Sequence, residues 1–169
     1  MAEQPGPLWA LDEEPHGSPS SDPLLPEQIR RLLAEQPYAV LSTQGGGQPY
    51  ASLVAFAVSP DLDAAVFATP RSTRKFRLLS ECDRVALLVD DRCKHPRAIM
   101  EVEGLTATGR AIQLETGPEF ERWASLLLAK HPHLAPFVRS PSVALFRVEI
   151  IRYFHVVRFQ EVTQWRPGA

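Results

Sequence analysis

The sequence has few cysteines and no long apolar run, and each lack excludes a class of protein. Its two cysteines, Cys82 and Cys93, do not form a C-x-x-C pair, so neither a disulfide scaffold nor a cysteine-based zinc or redox motif is expected. No apolar run approaches the roughly 20 residues of a membrane-spanning helix, and the N-terminus lacks the charged-then-apolar layout of a secretory signal. We therefore expect a cytoplasmic protein with reduced thiols and no membrane partner.

The chain also has little net charge. Its formal charge of −2 provides no overall attraction to nucleic acid or to anionic lipid, so we expect no nucleic-acid partner, and any anion site must be local. A length of 169 residues, with 44% hydrophobic and 22% charged residues, is typical of one globular domain or of one domain plus an appendage.

Basic residues are missing from the first 26 positions. This stretch holds six of the 16 prolines and five acids: Glu3, Asp12, Glu13, Glu14 and Asp22. Because proline opposes helix formation and removes backbone donors, residues 1–25 are predicted to form an acidic, proline-rich arm, and residues 26–165 the folded domain. The arm also carries the apolar side chains of Leu8, Trp9 and Leu11. Two alternatives stay open: the arm is disordered, or it docks on the domain or on a partner subunit.

Apolar periodicity predicts a short helix followed by closely spaced strands. Pro26 opens an amphipathic helix that runs to about Gln36. Alternating apolar and small residues then predict strands at 38–43, 48–58, 64–69 and 85–89, with a short helix at 72–81 before the last of them. Since the turns between the first three strands are too short for crossover helices, these strands must pair in antiparallel fashion.

The second half of the chain continues this pattern. Residues 99–114 are predicted to form one or two long strands with Gly104 and Gly109 at bulges or bends. A helix opens at Thr116, and residues 143–162 are predicted to close the sheet. The result is a mainly β fold of about six antiparallel strands with short helices, and closure into a small barrel would remove its exposed edges.

A basic segment joins the third predicted strand to the helix that follows. It reads Thr69-Pro70-Arg71-Ser72-Thr73-Arg74-Lys75, and together with Arg77 it carries four cations and no acid before Glu81. Its hydroxyls and the free amides of a helix N-terminus add neutral donors, so the segment suits a phosphate group. The alternative is a solvated basic face of a helix.

A second segment, residues 47–55, contains small residues in an otherwise apolar strand. Ala51 and Ser52 would let a planar ligand approach the backbone closely. Plain barrel packing explains these residues equally well. Neither segment decides the function alone.

Together the two segments resemble the pyridoxamine 5'-phosphate oxidase family of FMN-binding split barrels. The resemblance covers about residues 27–112 and rests on Gly47-Gln48-Pro49-Tyr50, Phe67-Ala68-Thr69 and Ser72-Thr73-Arg74-Lys75. It implies a six-stranded antiparallel split β-barrel and a homodimer with one FMN in each of two clefts at the subunit interface. Arg74 and Lys75 would grip the phosphate, and residues 51–54 would line the isoalloxazine ring. The implied cofactor-binding residues are Ala51, Ser52, Leu53, Val54, Phe67, Ala68, Thr69, Ser72, Thr73, Arg74 and Lys75.

The sequence departs from the oxidase pattern at three places. Ser52 stands where the oxidase has a flavin-contacting arginine, Ala57 stands at a downstream lysine position, and the C-terminal Arg-x-His element has no clear counterpart. These departures argue against vitamin B6 oxidation. The chain is more similar to the broad bacterial group of oxidase-related flavoproteins, among which flavin-dependent reductases and haem-handling proteins occur.

The leading hypothesis is an FMN-binding oxidoreductase that acts through bound FMN with a small-molecule substrate or electron donor. One alternative is a non-enzymatic flavin- or haem-binding carrier. Another is a barrel without a cofactor that acts through partner contacts. No catalytic residue is assigned, because the pairs His131 with His133 and Cys93 with His95 lack the further groups that a metal site or a nucleophile requires. His155 is the histidine on a predicted strand that is able to move a proton if the flavin lies nearby.

Overall fold

The computed structural model describes Ser18, Pro19 and residues 22–168. Its helices are α1 (Leu25–Glu35), α2 (Arg74–Glu81), α3 (Pro118–Lys130) and α4 (Ala135–Val138). Its strands are β1 (Ser18–Pro19), β2 (Tyr38–Gly45), β3 (Gln48–Val58), β4 (Ala64–Pro70), β5 (Arg84–Asp90), β6 (Gly104–Leu114), β7 (Val143–Val157) and β8 (Glu161–Trp165). Short 3-10 turns lie at Arg92–Lys94, Ile99–Glu101 and Pro132–Leu134. Within the described ranges, no helix is long and apolar enough to cross a membrane.

Six of the strands close into a barrel in the order β2, β3, β4, β7, β6, β5 and back to β2. Every neighbouring pair in this ring is antiparallel. The predicted fold class, a mainly β, six-stranded antiparallel split barrel, is therefore confirmed. Outside the ring, β8 pairs with the last residues of β7, Tyr153–Val157, and β1 pairs in parallel with β8.

Two apolar layers hold the barrel together. Inside the ring, alternate strand residues and the apolar face of α1 form one core, in which Phe67 stacks on Phe146 with ring centroids 5.4 Å apart. Outside the ring, the buried side of α3 packs on the outer faces of β3, β4 and β7. The helix and the barrel together therefore sandwich β4, which is buried on both faces and carries no charged side chain.

The strand predicted at 99–114 is shorter than expected. β6 begins at Gly104, and Ile99–Glu101 forms a 3-10 turn. The cause is a pair of hydrogen bonds that closes the preceding loop: Asp91 Oδ1 accepts from the Glu103 amide at 2.8 Å, and the Asp91 amide donates to the Glu103 carbonyl oxygen at 3.2 Å. The strand ladder can therefore begin only after Glu103.

The segment predicted to close the sheet at 143–162 is two strands instead of one. β7 ends at Val157, and the chain turns back into β8 at Glu161. Within the turn, Arg158 and Phe159 adopt positive φ angles of 48° and 65°. Since such positions usually hold glycine or asparagine, the sequence contains no signal for this turn.

Gly109 marks a β-bulge, as predicted. The register between β6 and β7 shifts between Thr108 and Gly109, and Ile151 is left without a partner across the ladder. A Cβ atom on residue 109 would lie 2.1 Å from the carbonyl oxygen of Glu149, so the two backbones approach too closely for any side chain. The other expected bend, Gly104, begins β6, and a Cβ atom there would meet nothing nearer than Val156 Cβ at 4.0 Å.

The boundary between arm and domain stays a prediction. α1 begins at Leu25, one residue before the expected start of the domain, and Ser18 and Pro19 pair with β8. Residues 1–17, which include Leu8, Trp9 and Leu11, lie outside the described residues. Docking of the arm therefore stays a prediction as well.

Candidate functional site

The barrel is split where β3 and β4 separate. β2 pairs with all of residues 48–55 of β3, but β4 pairs with β3 only from Phe56 to Val58. The rest of β4 reaches Pro70 paired with β7 on its other edge. The first half of β3 therefore has a strand neighbour on one side only, and its free backbone edge borders an opening next to α2.

The side chains of residues 51–54 alternate between the two faces of β3. Leu53 is 70% exposed on the outer face, and Ala51 is exposed beside it, whereas Val54 is buried in the barrel core. Ser52 shares the inner face with Val54, and its Oγ is buried without a hydrogen-bond partner among the described residues. Because buried hydroxyls are normally paired, Ser52 offers an unused hydrogen bond at the opening.

The residues at the end of β4 are largely buried, so they support the site and offer few free side chains to a ligand. Phe67 is fully buried in the core, Ala68 packs on the α3 side, and Thr69 is 1% exposed. The Thr69 hydroxyl lies 3.0 Å from the Thr73 hydroxyl. These residues therefore fix the position of the turn that leads into α2.

Thr73 caps the N-terminus of α2. Its Oγ1 accepts from the Phe76 amide at 3.3 Å and lies 2.9 Å from the Pro70 carbonyl oxygen. The hydroxyls of Thr69 and Thr73 are thus engaged within the chain. The amides of Arg74 and Lys75, the first two of the helix, have no acceptor among the described residues, and the side chain of Ser72 beside them is exposed.

Two of the four predicted cations lie at the split. The Arg74 guanidinium sits over the Tyr50 ring of β3, 5.3 Å from its centroid, which ties α2 to the free edge of that strand. Partial burial lowers the pKa of Lys75, and no carboxylate among the described residues pairs with its ammonium. An anion beside Lys75 would therefore offset the cost of burying its charge.

The other two cations have different neighbours. Arg71 is exposed and lies over the Phe76 ring at 5.7 Å, and Arg77 approaches Glu81 at 4.0 Å. The anion-binding capacity of the cluster is therefore concentrated on Arg74 and Lys75. Tyr50 was not among the predicted contacts. The sequence could have indicated Tyr50, because it lies two residues before Ser52 and therefore on the same face of β3.

The structure places His155 at the opposite end of the barrel. β7 enters beside Thr69 at Ala144 and carries His155 eleven residues further, beside the start of β6 at Leu105. There His155 Nε2 lies 2.7 Å from Glu103 Oε1, and Arg31 pairs with the other oxygen of Glu103 at 2.6 Å. The hydrogen bond from His155 is the main cause that lowers the pKa of Glu103. His155 therefore serves an ion-paired network far from Arg74 in the same chain.

The remaining histidine candidates make polar contacts within the chain. His131 is buried with Nε2 3.0 Å from the Phe56 carbonyl oxygen, and His95 lies 3.2 Å from Glu101. Cys93 is an exposed free thiol. In the part of the chain that the structure describes, no group of three or more His, Cys, Asp or Glu residues is placed to hold a metal ion.

The residues at the split fit a ligand with a phosphate at one end and a planar ring at the other. Two amides and two cations at the start of α2 would be available to a phosphate, and the free edge of β3 with the unpaired Ser52 hydroxyl would be available to a planar ring. No acid or histidine occurs in residues 50–54 or 69–75. The arrangement can therefore bind and orient such a ligand, and Tyr50 and Lys75 are the side chains in these two ranges that are able to transfer a proton.

The comparisons with known proteins agree with this fold. The family model of pyridoxamine 5'-phosphate oxidase matches residues 25–160. No curated protein matches the chain in sequence.

Solved structures with the same fold come from several bacteria. The heme binding protein from Mycobacterium smegmatis matches with a TM-score of 0.74 at 17% identity, over 83% of this chain and 57% of that chain. HutZ, the heme storage protein from Vibrio cholerae, matches with a TM-score of 0.60 at 18% identity, over 75% of this chain and 89% of that chain. An FAD-binding protein from Mesorhizobium loti matches with a TM-score of 0.59 at 14% identity, over 75% of this chain and 90% of that chain. The chain therefore spans less than two thirds of the first of these proteins, and at these identities the likeness concerns the fold alone.

Proposed function

The chain belongs to the pyridoxamine 5'-phosphate oxidase family, and on that premise we propose that it is an FMN-binding oxidoreductase acting on a small molecule through bound FMN. The observation that carries the proposal is the pair Arg74 and Lys75, which stands with two free helix amides at the opening beside the free edge of β3. A phosphate monoester is the anion that suits such a group of donors.

The chain's own residues would bind and orient the cofactor. Arg74, Lys75 and the amides of α2 hold the phosphate, and the backbone of residues 51–54 lies along the isoalloxazine ring. The Ser52 hydroxyl, buried and unpaired, supplies a hydrogen bond to the polar edge of the ring. Bound FMN supplies the electron transfer that no amino-acid side chain provides.

A non-enzymatic flavin or haem carrier is the second candidate. It is favoured by the lack of any acid or histidine in residues 50–54 and 69–75, and two of the similar structures are a heme binding and a heme storage protein. Haem iron usually takes an axial ligand from the protein. His131 and His155 are buried and hydrogen-bonded elsewhere, so neither offers its Nε2 at the split, whereas the cations and free amides of α2 there suit the phosphate of a flavin nucleotide.

An absorbance spectrum of the purified protein separates these candidates. We expect the bands of oxidised flavin after incubation with FMN, and bleaching of those bands when NADH or NADPH is added without oxygen. Flavin bands that no nicotinamide donor bleaches would support the carrier. A Soret band from the protein as isolated, with no uptake of FMN, would contradict the flavin proposal.

We further propose that the protein is a homodimer. A row of outward side chains crosses five strands in register: Leu53, Val40, Leu88, Thr106 and Phe154. Leu53 and Leu88 are exposed, and α3 and α4 cover a different face of the barrel. A second copy of the chain would bury this row next to the split.

Replacing Leu53 with lysine should break the dimer. Sedimentation of the native protein should show about twice the chain mass of 18.8 kDa at micromolar concentration, and the L53K variant should show one chain mass, because a charge in an apolar interface is costly to bury. Leu24 is also exposed but lies at the start of α1, so L24K is the control and should stay dimeric. A monomeric native protein that still binds FMN tightly would contradict the dimer.

A further inference from the structure

A second cleft lies on the side of the barrel covered by α3. It has a volume of about 380 Å³, and it is bounded by the turn Ser59–Ala64, by Arg122 and Trp123 of α3, and by Arg147 and Glu149 of β7. This volume lies in the range that holds small molecules. Since the cleft opens at the first residue of β4 and the FMN site lies at its last residues, the two are separated by about 17 Å of strand.

Unpaired charged side chains of both signs line this cleft. The Arg122 guanidinium of α3 lies over the Trp123 ring at 5.5 Å, and no carboxylate among the described residues pairs with it. On the turn between β3 and β4, Asp61 has no partner among the same residues, and Asp63 accepts one hydrogen bond, from Ser59 Oγ at 2.5 Å. The cleft therefore presents a free cation on α3 and free carboxylate oxygens on the turn.

The second arginine of the cleft, Arg147, is already neutralised. Arg147 donates to Glu119 at 2.8 Å and to Glu149 at 2.6 Å. Its guanidinium also lies 6.0 Å from the centre of the Trp123 ring. Arg147 therefore fixes the indole from one side, and Arg122 stays available to a ligand.

Two buried donors on side chains that line the cleft lack acceptors. Trp123 is 5% exposed, and its Nε1 has no hydrogen-bond partner among the described residues. The Nε of Arg147 is buried and unpartnered in the same way. Because buried donors are normally paired, both of these side chains carry an unmet hydrogen bond beside the cleft.

We propose that this cleft binds a zwitterionic ligand of the α-amino acid class. The ligand's carboxylate accepts from Arg122 and from the indole N–H of Trp123, and its ammonium donates to Asp61 and Asp63. A simple anion or a simple cation would leave one wall of the cleft unpaired. This site does not depend on FMN binding, so either proposal can fail without the other.

Calorimetric titration of the 169-residue protein with each proteinogenic L-amino acid at millimolar concentration tests the proposal. We expect at least one to bind, and we expect acetate and methylammonium, which carry one charge each, to bind more weakly than that amino acid. R122Q and D61N should each weaken the binding about tenfold or more, because each removes a charged partner. R97Q and E115Q, at exposed positions outside the cleft, are matched controls and should bind as the native protein does.

The indole N–H signal of Trp123 gives a readout that does not depend on the variants. Nuclear magnetic resonance spectra of W9F and W165F assign the three tryptophan signals by elimination, and the amino acid that binds should shift the Trp123 signal. Three results would overturn the proposal: no amino acid binds, the bound one leaves the Trp123 signal in place, or R122Q binds it unchanged. Acetate binding as tight as the amino acid would also overturn it, since the site would then be a plain anion site.

Discussion

The affinity for FMN is expected to fall by at least about a hundredfold when Arg74 and Lys75 are both replaced by alanine, while the affinity for riboflavin stays nearly unchanged. A well-formed hydrogen bond to a charged group contributes about 1.5–3 kcal/mol, and about 1.4 kcal/mol corresponds to a factor of ten in affinity. Both side chains lie at the N-terminus of α2, and Lys75 lacks an acidic partner among the described residues. Only FMN carries the phosphate that they would hold, so fluorescence titration with the two flavins isolates this contact.

Arg77 provides the matched control for that experiment. It belongs to the same helix and the same run of cations, but it approaches Glu81 at 4.0 Å. R77A should therefore change the affinity for FMN by less than about threefold. An equal loss of FMN and riboflavin affinity in the double variant would show that the cluster does not hold the phosphate.

Replacing Gly109 with alanine should lower the free energy of unfolding by about 3 kcal/mol, the upper range for forcing extra atoms into a packed site. The new Cβ atom would lie 2.1 Å from the backbone oxygen of Glu149, which cannot rotate away as a side chain can. For a domain of this size the melting temperature should fall by about 6–12 °C. Thermal unfolding followed by circular dichroism, with and without saturating FMN, measures the change.

Gly104 lies in the same strand and serves as the control. The atom nearest to a new Cβ on residue 104 would be Val156 Cβ at 4.0 Å, an ordinary contact distance. G104A should therefore leave the melting temperature within about 1–2 °C of the native value. If G109A were as stable as G104A, the conclusion that the backbones of β6 and β7 approach closely at the bulge would be wrong.

Most of the barrel could be predicted because its signals are local. Short turns after β2 and β3 require antiparallel pairing, and the alternation in β3 appears directly in its burial. The two errors lie where distant or unusual contacts decide. The 3-10 turn at Ile99–Glu101 depends on hydrogen bonds between Asp91 and Glu103, and the turn at Arg158 and Phe159 uses residues that rarely form one.

The candidate site could be predicted only in part for a similar reason. The sequence showed that Arg74 and Lys75 lie at the start of a helix, which is enough to predict an anion site. It could not show that Thr69 and Thr73 direct their hydroxyls at each other, or that Tyr50 stacks on Arg74, since both contacts join different elements. Nor could it show that β7 carries His155 to the far end of the barrel, away from the split.

The position of β7 in the chain has a consequence for synthesis. This strand joins β4 to β6 and so closes the ring, yet it begins only at Val143. Until the ribosome has released that strand, β4 and β6 each present an unpaired edge, and unpaired edges of this kind favour pairing with other chains. The closing contacts also join residues far apart in sequence, which slows folding. Aggregation during expression should therefore depend strongly on temperature and translation rate, even when the finished barrel is stable.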